Sequence, residues 1–136
     1  MLPAIERQGS SAFVNLASTS GIRWTGVAEV AYAASKAGVI QLSRVMAIQY
    51  AAKGIRVNTV VPGQMHTPMV EVRLAGQRAG GDVDAIVKQR LARIPMGFAG
   101  NGRDTAAAVL FLALEQARFV TGSELVVEGG MSVRWG

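Results

Sequence analysis

A chain of 136 residues is long enough to bury a hydrophobic core and short enough to form one domain. Half of its residues are apolar and only 17% are charged, which excludes a disordered chain. The absence of cysteine excludes disulfides and thiolate metal sites, and the single histidine, His66, cannot build a metal site alone. No apolar run is long enough to cross a membrane, and Glu6 and Arg7 interrupt any signal-peptide core, so we predict a soluble cytoplasmic protein.

The net charge of +5 raises the question of nucleic-acid binding. The basic residues are spread along the whole chain, without a basic run and without interleaved aromatic side chains. We therefore expect no nucleic-acid partner. A dispersed positive field can still attract a phosphate-bearing ligand.

The first predicted strand is Ala12–Ala17, a mostly apolar run bounded by polar turn residues, as in a buried parallel strand. Residues 3–8 read as the end of a helix, and residues 8–11 as its terminating turn. The tetrapeptide Ser18-Thr19-Ser20-Gly21 follows the strand directly. Ligands bind at the carboxyl edge of open α/β sheets, so this tetrapeptide is a candidate part of a site.

A long helix is predicted next, from Val30 to about Ala52, after a loop over residues 22–29. Lys53-Gly54 ends the helix, and the β-branched run Ile55–Val61 predicts the second strand. A strand, a helix and a second strand in this order make a right-handed parallel crossover unit. Pro62-Gly63 ends the second strand, again at the carboxyl edge.

Within the long helix, Tyr32 and Lys36 are four residues apart and share one face. Tyrosine has an ordinary pKa of about 10, which makes it a poor base near neutrality. A fixed ammonium beside a phenol favours the phenolate. The same spacing also suits a tyrosine whose hydroxyl reaches solvent beside a solvated lysine, so the flanking motifs decide between the two interpretations.

Residues 64–94 form a longer excursion with a weaker pattern. Helices are predicted near Pro68–Arg78 and Asp82–Ile94, with Gly80-Gly81 as a hinge between them. A segment of this kind beyond the carboxyl edge suits a mobile lid over a substrate. We predict one domain over residues 1–136 that carries this lid.

The last third of the chain predicts a loop, a helix and a third strand. The sequence GFAGNG at 97–102 lacks the G-x-G-x-x-G spacing and follows no strand, so we interpret it as a plain loop. Arg103-Asp104-Thr105 opens a helix, with Asp104 in the first turn, where it complements the helix dipole. Thr121-Gly122 then turns the chain into the third strand, Glu124–Val127. The order of elements predicts an α/β fold with a parallel sheet.

Four stretches together resemble one family. They are VNLAS at 14–18, YAASK at 32–36, IRVNTVVPG at 55–63 followed by Thr67, and FVTGSELVVEGG at 119–130. Their order and spacing resemble the C-terminal half of the Rossmann domain of short-chain dehydrogenases/reductases. The resemblance implies a partial Rossmann-like doubly wound parallel sheet, made of the family's last three strands with crossover helices. It also implies an NAD(P)-dependent oxidoreductase with NAD or NADP as cofactor, an alcohol or ketone substrate and a homo-oligomer.

The resemblance assigns roles to three residues. Tyr32 resembles the family's catalytic acid/base, and Lys36 resembles the residue that holds the nicotinamide ribose and favours the phenolate. Ser18 resembles the serine that hydrogen-bonds the reacting oxygen. Ser20 is an alternative at this position, although a turn hydroxyl that bonds local backbone is its simpler interpretation.

The serine position departs from the family's usual spacing. The family places its serine thirteen residues before the tyrosine, where this chain has Thr19, and Ser18 lies fourteen before. We prefer Ser18 because Asn15 and Gly21 then fall into the family's register and the extra residue fits the loop at 22–29.

Four residues after the second strand resemble the loop against the nicotinamide end of the cofactor: Pro62, Gly63, Met65 and Thr67. Their alternative interpretation is a strand-ending turn and a helix N-cap. Asn58 resembles a structural asparagine of the second strand, without a catalytic role.

The family's first half, with its glycine fingerprint for the pyrophosphate, has no counterpart in this chain. The first strand found here would normally pair with a strand of that half. We therefore expect either a fragment or a chain whose open sheet edge is covered by partners. The alternative function is a non-catalytic remnant that keeps the family's packing.

Overall fold

The computed structural model describes residues 4–5, 7, 9–26, 28–77 and 83–134, which form a small α/β domain. The strands are β1 (Ser11–Leu16), β2 (Ile55–Pro62), β3 (Met65–His66), β4 (Gly100–Asn101) and β5 (Glu124–Val127). The helices are α1 (Val30–Tyr50), α2 (Pro68–Gln77), α3 (Val83–Leu91) and α4 (Gly102–Ala113). The main sheet has the order β1-β2-β5 with all neighbours parallel, and β3 and β4 form a second, two-stranded parallel sheet.

The three predicted strands and the long helix are confirmed. The observed bounds of the strands differ from the predicted ones by one residue at most. Helix α1 ends at Tyr50, and one 3₁₀ turn, Ala51–Lys53, continues it to Gly54. Gly54 has a φ of 72° and lies so close to the Gly9 carbonyl that no side chain fits there. The Lys-Gly stop signal thus ends the helix because only glycine suits that backbone and that contact.

The sequence GFAGNG at 97–102 is not a plain loop throughout, because its last three residues belong to a strand and a helix. Gly100 and Asn101 form β4 and pair with Met65 and His66 of β3. Asn101 also caps α4, because its side chain accepts from Arg103 N at 2.8 Å while Asp104 accepts from Asn101 N at 2.7 Å. A strand of two residues has too little pattern to be found locally, and only the position of β3 creates it.

Some predicted features lie partly outside the described residues. Residues 4–5 are helical, as predicted, whereas Gln8 of the predicted turn is not described. The hinge Gly80-Gly81 is also outside the described part of the chain. The two helices of the excursion are confirmed as α2 and α3, although the predicted end residues Arg78 and Asp82 are not described.

Strand β2 is the centre of the fold and is covered on both faces. Because side chains alternate along a strand, its odd-numbered residues share one face. That face packs on α1 in two buried clusters, which contain Ala47, Ile55 and Val57 in one and Ala17, Ile40 and Val61 in the other. This packing fixes α1 against the sheet.

The other face of β2 carries two polar side chains that serve the backbone of the C-terminal third. Arg56 donates to the carbonyl oxygens of Leu112 and Leu114, at 2.7 and 3.2 Å, at the end of α4. The fully buried Asn58 donates to Val120 O at 2.8 Å and accepts from Ser123 N at 3.1 Å. These bonds satisfy carbonyls that a helix end and a turn leave open, which supports the structural interpretation of Asn58.

Strand β1 lies at an edge of the main sheet, with β2 as its single neighbour among the described strands. The open edge expected from the sequence is therefore observed. Within the described part of the chain, no helix is long and apolar enough to cross a membrane.

Candidate active site

The predicted site residues gather around the carboxyl edge of the main sheet. Ala17 N donates to Val60 O at 2.9 Å, which sets the end of β1 beside the end of β2. Gly63 N donates to Val127 O at 2.9 Å and joins the end of β2 to that of β5 in the same way. Parallel strands bring their carboxyl ends to one edge, so segments distant in sequence meet there.

Ser18 follows β1 directly and is the N-cap of a 3₁₀ turn, Thr19–Gly21. Its Oγ accepts a hydrogen bond of 3.2 Å from Ser20 N. A hydroxyl that accepts one bond keeps its own proton to donate. Ser18 can therefore be held by the turn and still donate to a substrate oxygen.

The two neighbours of Ser18 are placed differently. Thr19 is buried, with 5% of its surface exposed. Ser20 Oγ lies 3.5 Å from Thr25 Oγ1, so its neighbour is a loop side chain. The local backbone bond that we expected as the simpler role of Ser20 is instead made by Ser18.

Tyr32 lies in the first turn of α1, and 44% of its surface is exposed. The Nζ of Lys36 is 5.6 Å from the centre of the Tyr32 ring. The same ammonium donates to Leu16 O, at the end of β1, at 3.1 Å. Lys36 thus connects the tyrosine to the edge of the sheet, and among the described residues only Leu16 O uses one of its three N–H donors.

Gly21 brings the Ser18 turn and helix α1 into contact. A side-chain carbon at Gly21 would lie 2.7 Å from the carbonyl carbon of Lys36 and 2.8 Å from Ala37 N. Both distances are shorter than any van der Waals contact, so only glycine allows this approach. This contact gives a physical reason for glycine at position 21, because glycine lets the Ser18 turn touch helix α1.

The predicted cofactor loop follows the end of β2. At Gly63 a side-chain carbon would collide with Glu128, so glycine is required where the chain leaves the sheet. Thr67 precedes α2, and its Oγ1 accepts a long bond of 3.4 Å from Val70 N. That geometry matches the N-cap interpretation of Thr67, which leaves the hydroxyl proton free.

Pro62 and Met65 have structural partners as well. Pro62 is the last residue of β2 and pairs with Val127. Met65 pairs with Gly100 and lines two cavities of about 180 and 50 Å³ beyond the edge of the sheet.

Two cavities flank the turn that carries Ser18. One, of about 170 Å³, includes Thr19 in its wall, and the other, of about 270 Å³, includes Ser20 and Ala33. Arg23, Trp24 and Thr25 belong to both walls. Tyr32 and Lys36 line neither cavity, whereas Val30 and Ala33 of α1 line the larger one.

Three arginines form a group that the sequence does not reveal. Arg23, Arg93 and Arg134 line the cavity of about 170 Å³ together. They are separated by tens of residues, and each alone looks like an ordinary surface arginine. No local pattern brings them together.

Known proteins are similar to this chain over almost its whole length. The profile of a family described as "Enoyl-(Acyl carrier protein) reductase" matches residues 1–132. A crystal structure from Burkholderia xenovorans, described as a short-chain dehydrogenase/reductase, is 61% identical and covers 99% of this chain with a TM-score of 0.92. The chain belongs to the short-chain dehydrogenase/reductase family. The predicted resemblance and the partial Rossmann-like fold are confirmed.

Curated relatives within this short-chain dehydrogenase/reductase family are named as dehydrogenases. The chain is 40% identical over 130 residues to 3beta-hydroxysteroid dehydrogenase 1 of Eggerthella lenta, which is 95% of this chain and 46% of that protein. It is also 40% identical over 130 residues to the 2-(R)-hydroxypropyl-CoM dehydrogenase of Xanthobacter autotrophicus, with 95% and 48% covered.

A solved structure with bound NADP is similar as well. It is described as an NAD(P)-dependent gluconate 5-dehydrogenase from Beutenbergia cavernae, is 33% identical and has a TM-score of 0.83. The comparison covers 97% of this chain and 50% of that one. The chain spans about half the length of the relatives it matches.

Proposed function

We propose that this chain is the catalytic half of an NAD(P)-dependent oxidoreductase that interconverts an alcohol and a ketone. The observation that carries the proposal is the contact at Gly21, which holds the Ser18 turn against the helix of Tyr32 and Lys36 at the carboxyl edge. The dehydrogenase names of its relatives support the same reaction class.

The residues at this edge suit the nicotinamide end of NAD or NADP. Among the described residues, the Lys36 ammonium donates one hydrogen bond, to Leu16 O, and its two other N–H donors match a pair of ribose hydroxyls. Gly63 leaves a bare backbone at the end of β2. We assign Tyr32, Lys36, Pro62, Gly63, Met65 and Thr67 to the cofactor side of the site. A bound nicotinamide supplies or accepts the hydride.

The side chains of this chain handle the proton. In reduction the Tyr32 hydroxyl gives its proton to the carbonyl oxygen, and in oxidation the phenolate takes the proton of the alcohol. Ser18 donates a hydrogen bond to that same oxygen and stabilises the charge that develops on it. Lys36 Nζ lies 5.6 Å from the centre of the Tyr32 ring, where it can hold the nicotinamide ribose beside the phenol.

The test uses the intact enzyme, the form that joins these residues to the family's first half. We expect Tyr32→Phe to remove nearly all turnover while NAD(P) binding is kept, because phenylalanine preserves the ring but has no proton to exchange. Absorbance of the reduced nicotinamide measures turnover, and calorimetry measures cofactor affinity.

Lys36→Ala is the matched comparison, and we expect it to weaken both cofactor affinity and rate. A Tyr32→Phe enzyme that keeps more than about a tenth of the wild-type rate would contradict the acid/base role, since a positioned proton donor contributes about 100-fold or more. Unchanged cofactor affinity in Lys36→Ala would contradict the ribose role.

We also infer a homo-oligomer. Helix α1 leaves Leu42, Val45 and Ile48 more than half exposed, and Phe119 is fully exposed. Such apolar side chains are what a subunit interface covers. Light scattering of the intact enzyme tests this inference, and a monomer would refute it.

A cytoplasmic location stays a prediction from the cysteine-free sequence, which cell fractionation tests.

A further inference from the structure

Three exposed arginines line one cavity beside the candidate active site. Arg23, Arg93 and Arg134 line a space of about 170 Å³ together with Thr19, Trp24, Thr25, Met131 and Ser132. Arginine stays protonated at all ordinary pH values, so the wall carries three positive charges. Like charges repel one another, and an anion bound among the three arginines would offset that repulsion.

Two of the guanidinium groups are fixed by backbone carbonyls. Arg23 Nη1 donates to Met131 O at 2.9 Å and to Ser132 O at 2.7 Å. Arg134 Nη1 donates to Ala92 O at 2.6 Å, next to Arg93 in the chain. These bonds tie residues 131–134 across the cavity and use one nitrogen of each group. The remaining N–H donors have the forked geometry that suits a carboxylate or phosphate.

Among the described residues, no acidic side chain lines this cavity. The nearby Glu128 carboxylate accepts from the backbone N–H groups of Gly130 and Ser132. Glu29 lines the neighbouring cavity with Arg23, and no ion pair joins the two among the described residues. The three charges therefore lack a carboxylate partner from the described part of this chain.

The cavity is close to the proposed chemistry. Thr19 in its wall follows Ser18 directly, and Arg23, Trp24 and Thr25 separate it from the cavity that reaches Ala33 of α1. Both cavities are small compared with the 300–1,000 Å³ typical of drug-sized ligands. A space of this size suits a small charged substituent such as a carboxylate or a phosphate.

We propose that the cavity lined by Arg23, Arg93 and Arg134 is a subsite for an anionic group, a carboxylate or a phosphate, on the substrate. That this ligand is a substrate rests on the proposed function, whereas anion binding at the three arginines does not. The arginines select the substrate and hold it by a group remote from the reacting carbon.

The experiment compares matched alcohols on the intact enzyme. The probes are 3-hydroxybutyrate, its neutral amide 3-hydroxybutyramide, and 2-hydroxypropyl phosphate, each assayed for kcat/KM at constant ionic strength. We expect the better anionic probe to exceed the amide by about tenfold or more, as charge-assisted bonds to arginine would give. The better of the two anions identifies the charged group.

Arg93→Gln is the informative variant, because Arg93 makes none of the backbone bonds that hold residues 131–134. We expect it to lower the ratio of anionic to amide kcat/KM by about tenfold. Arg118→Gln removes an exposed arginine that is not in this wall, and it should leave the ratio unchanged. Equal kcat/KM for the amide and both anions, or equal losses in the two variants, would overturn the subsite.

Calorimetric titration with 3-hydroxybutyrate and 2-hydroxypropyl phosphate separates this inference from the proposed function. If no alcohol is turned over but an anion binds saturably and Arg93→Gln abolishes that binding, the anion site stands and the dehydrogenase proposal fails. If neither anion binds saturably, the site itself is refuted.

Discussion

At the scale of single residues, the sequence left two candidates, Ser18 and Ser20, for the serine that hydrogen-bonds the reacting oxygen. Ser18 Oγ accepts from Ser20 N, and this bond fixes the side chain without using its proton. Ser20 Oγ instead lies beside Thr25 in the loop. Ser18, whose side chain is fixed while its proton can still be donated, suits the stabilisation of a substrate oxygen better than Ser20, whose hydroxyl faces that of Thr25.

We predict that Ser18→Ala in the intact enzyme lowers kcat by a factor of about 100 to 1,000, the usual effect of removing one donor to a developing oxyanion. Ser20→Ala is the matched control and should be much milder. Steady-state kinetics with the same substrate measure both. If Ser20→Ala proved the more damaging change, the assignment of the serine would move by two residues.

At the scale of elements, the approach of the Ser18 turn to α1 depends on Gly21. The backbone of Lys36 and Ala37 occupies the space where a side chain at Gly21 would be. Any side chain there must push the turn and the helix apart, and with them Ser18 and Tyr32. Small displacements of reacting groups have large kinetic effects because catalysis depends on their alignment.

We predict that Gly21→Ala lowers kcat/KM by about 100-fold, the effect that a displacement of about 1 Å can have. Gly38→Ala is the control, since it lies on α1 with no atom near a new side-chain carbon. That change should leave kcat/KM unaltered and raise the free energy of unfolding by about 1 kcal/mol through helix propensity. Unaltered kinetics in Gly21→Ala would show that the contact is not needed for alignment.

Helices α2 and α3 belong to the excursion that we interpret as a substrate lid. Met69 and Val72 of α2 are mostly exposed, as expected of an element with few partners on the sheet. The lid stays a proposal. Limited proteolysis within residues 64–94, with and without bound cofactor, tests it, and equal cleavage rates would count against closure.

At the scale of the whole molecule, this chain contains the residues to which we assign proton transfer and spans about half the length of its relatives. Strand β1 also has one open edge in the sheet that the described residues form. The residues that we assign to the nicotinamide end are few, and most of the hold on a dinucleotide comes from a pyrophosphate site at a helix N-terminus. A chain of these 136 residues would therefore position the hydride poorly.

We predict that purified residues 1–136 show no measurable dehydrogenase activity and form oligomers or aggregates, because an unpaired apolar strand edge invites association. Absorbance of reduced NAD and NADP with a panel of alcohols and ketones measures the first, and light scattering measures the second. Turnover that disappears in Tyr32→Phe of this same chain would overturn the prediction.

The sequence by itself determined the three strands of the main sheet, helix α1 and the family. Each depends on neighbouring residues: β-branched runs for strands, a Lys-Gly stop for the helix end, and motifs such as YAASK whose members share one element. Ser18, Tyr32 and Lys36 could be nominated in this way because they lie within two short stretches of chain.

Only the tertiary structure decided the pairing of β3 with β4, the contact of Gly21 with Lys36 and the meeting of three arginines at one cavity. Each of these joins residues between about 15 and 110 positions apart, and the geometry follows from how α1 and the loops pack on the sheet. Local propensity carries no record of such contacts, since a surface arginine has the same sequence surroundings whether it faces solvent or a shared cavity.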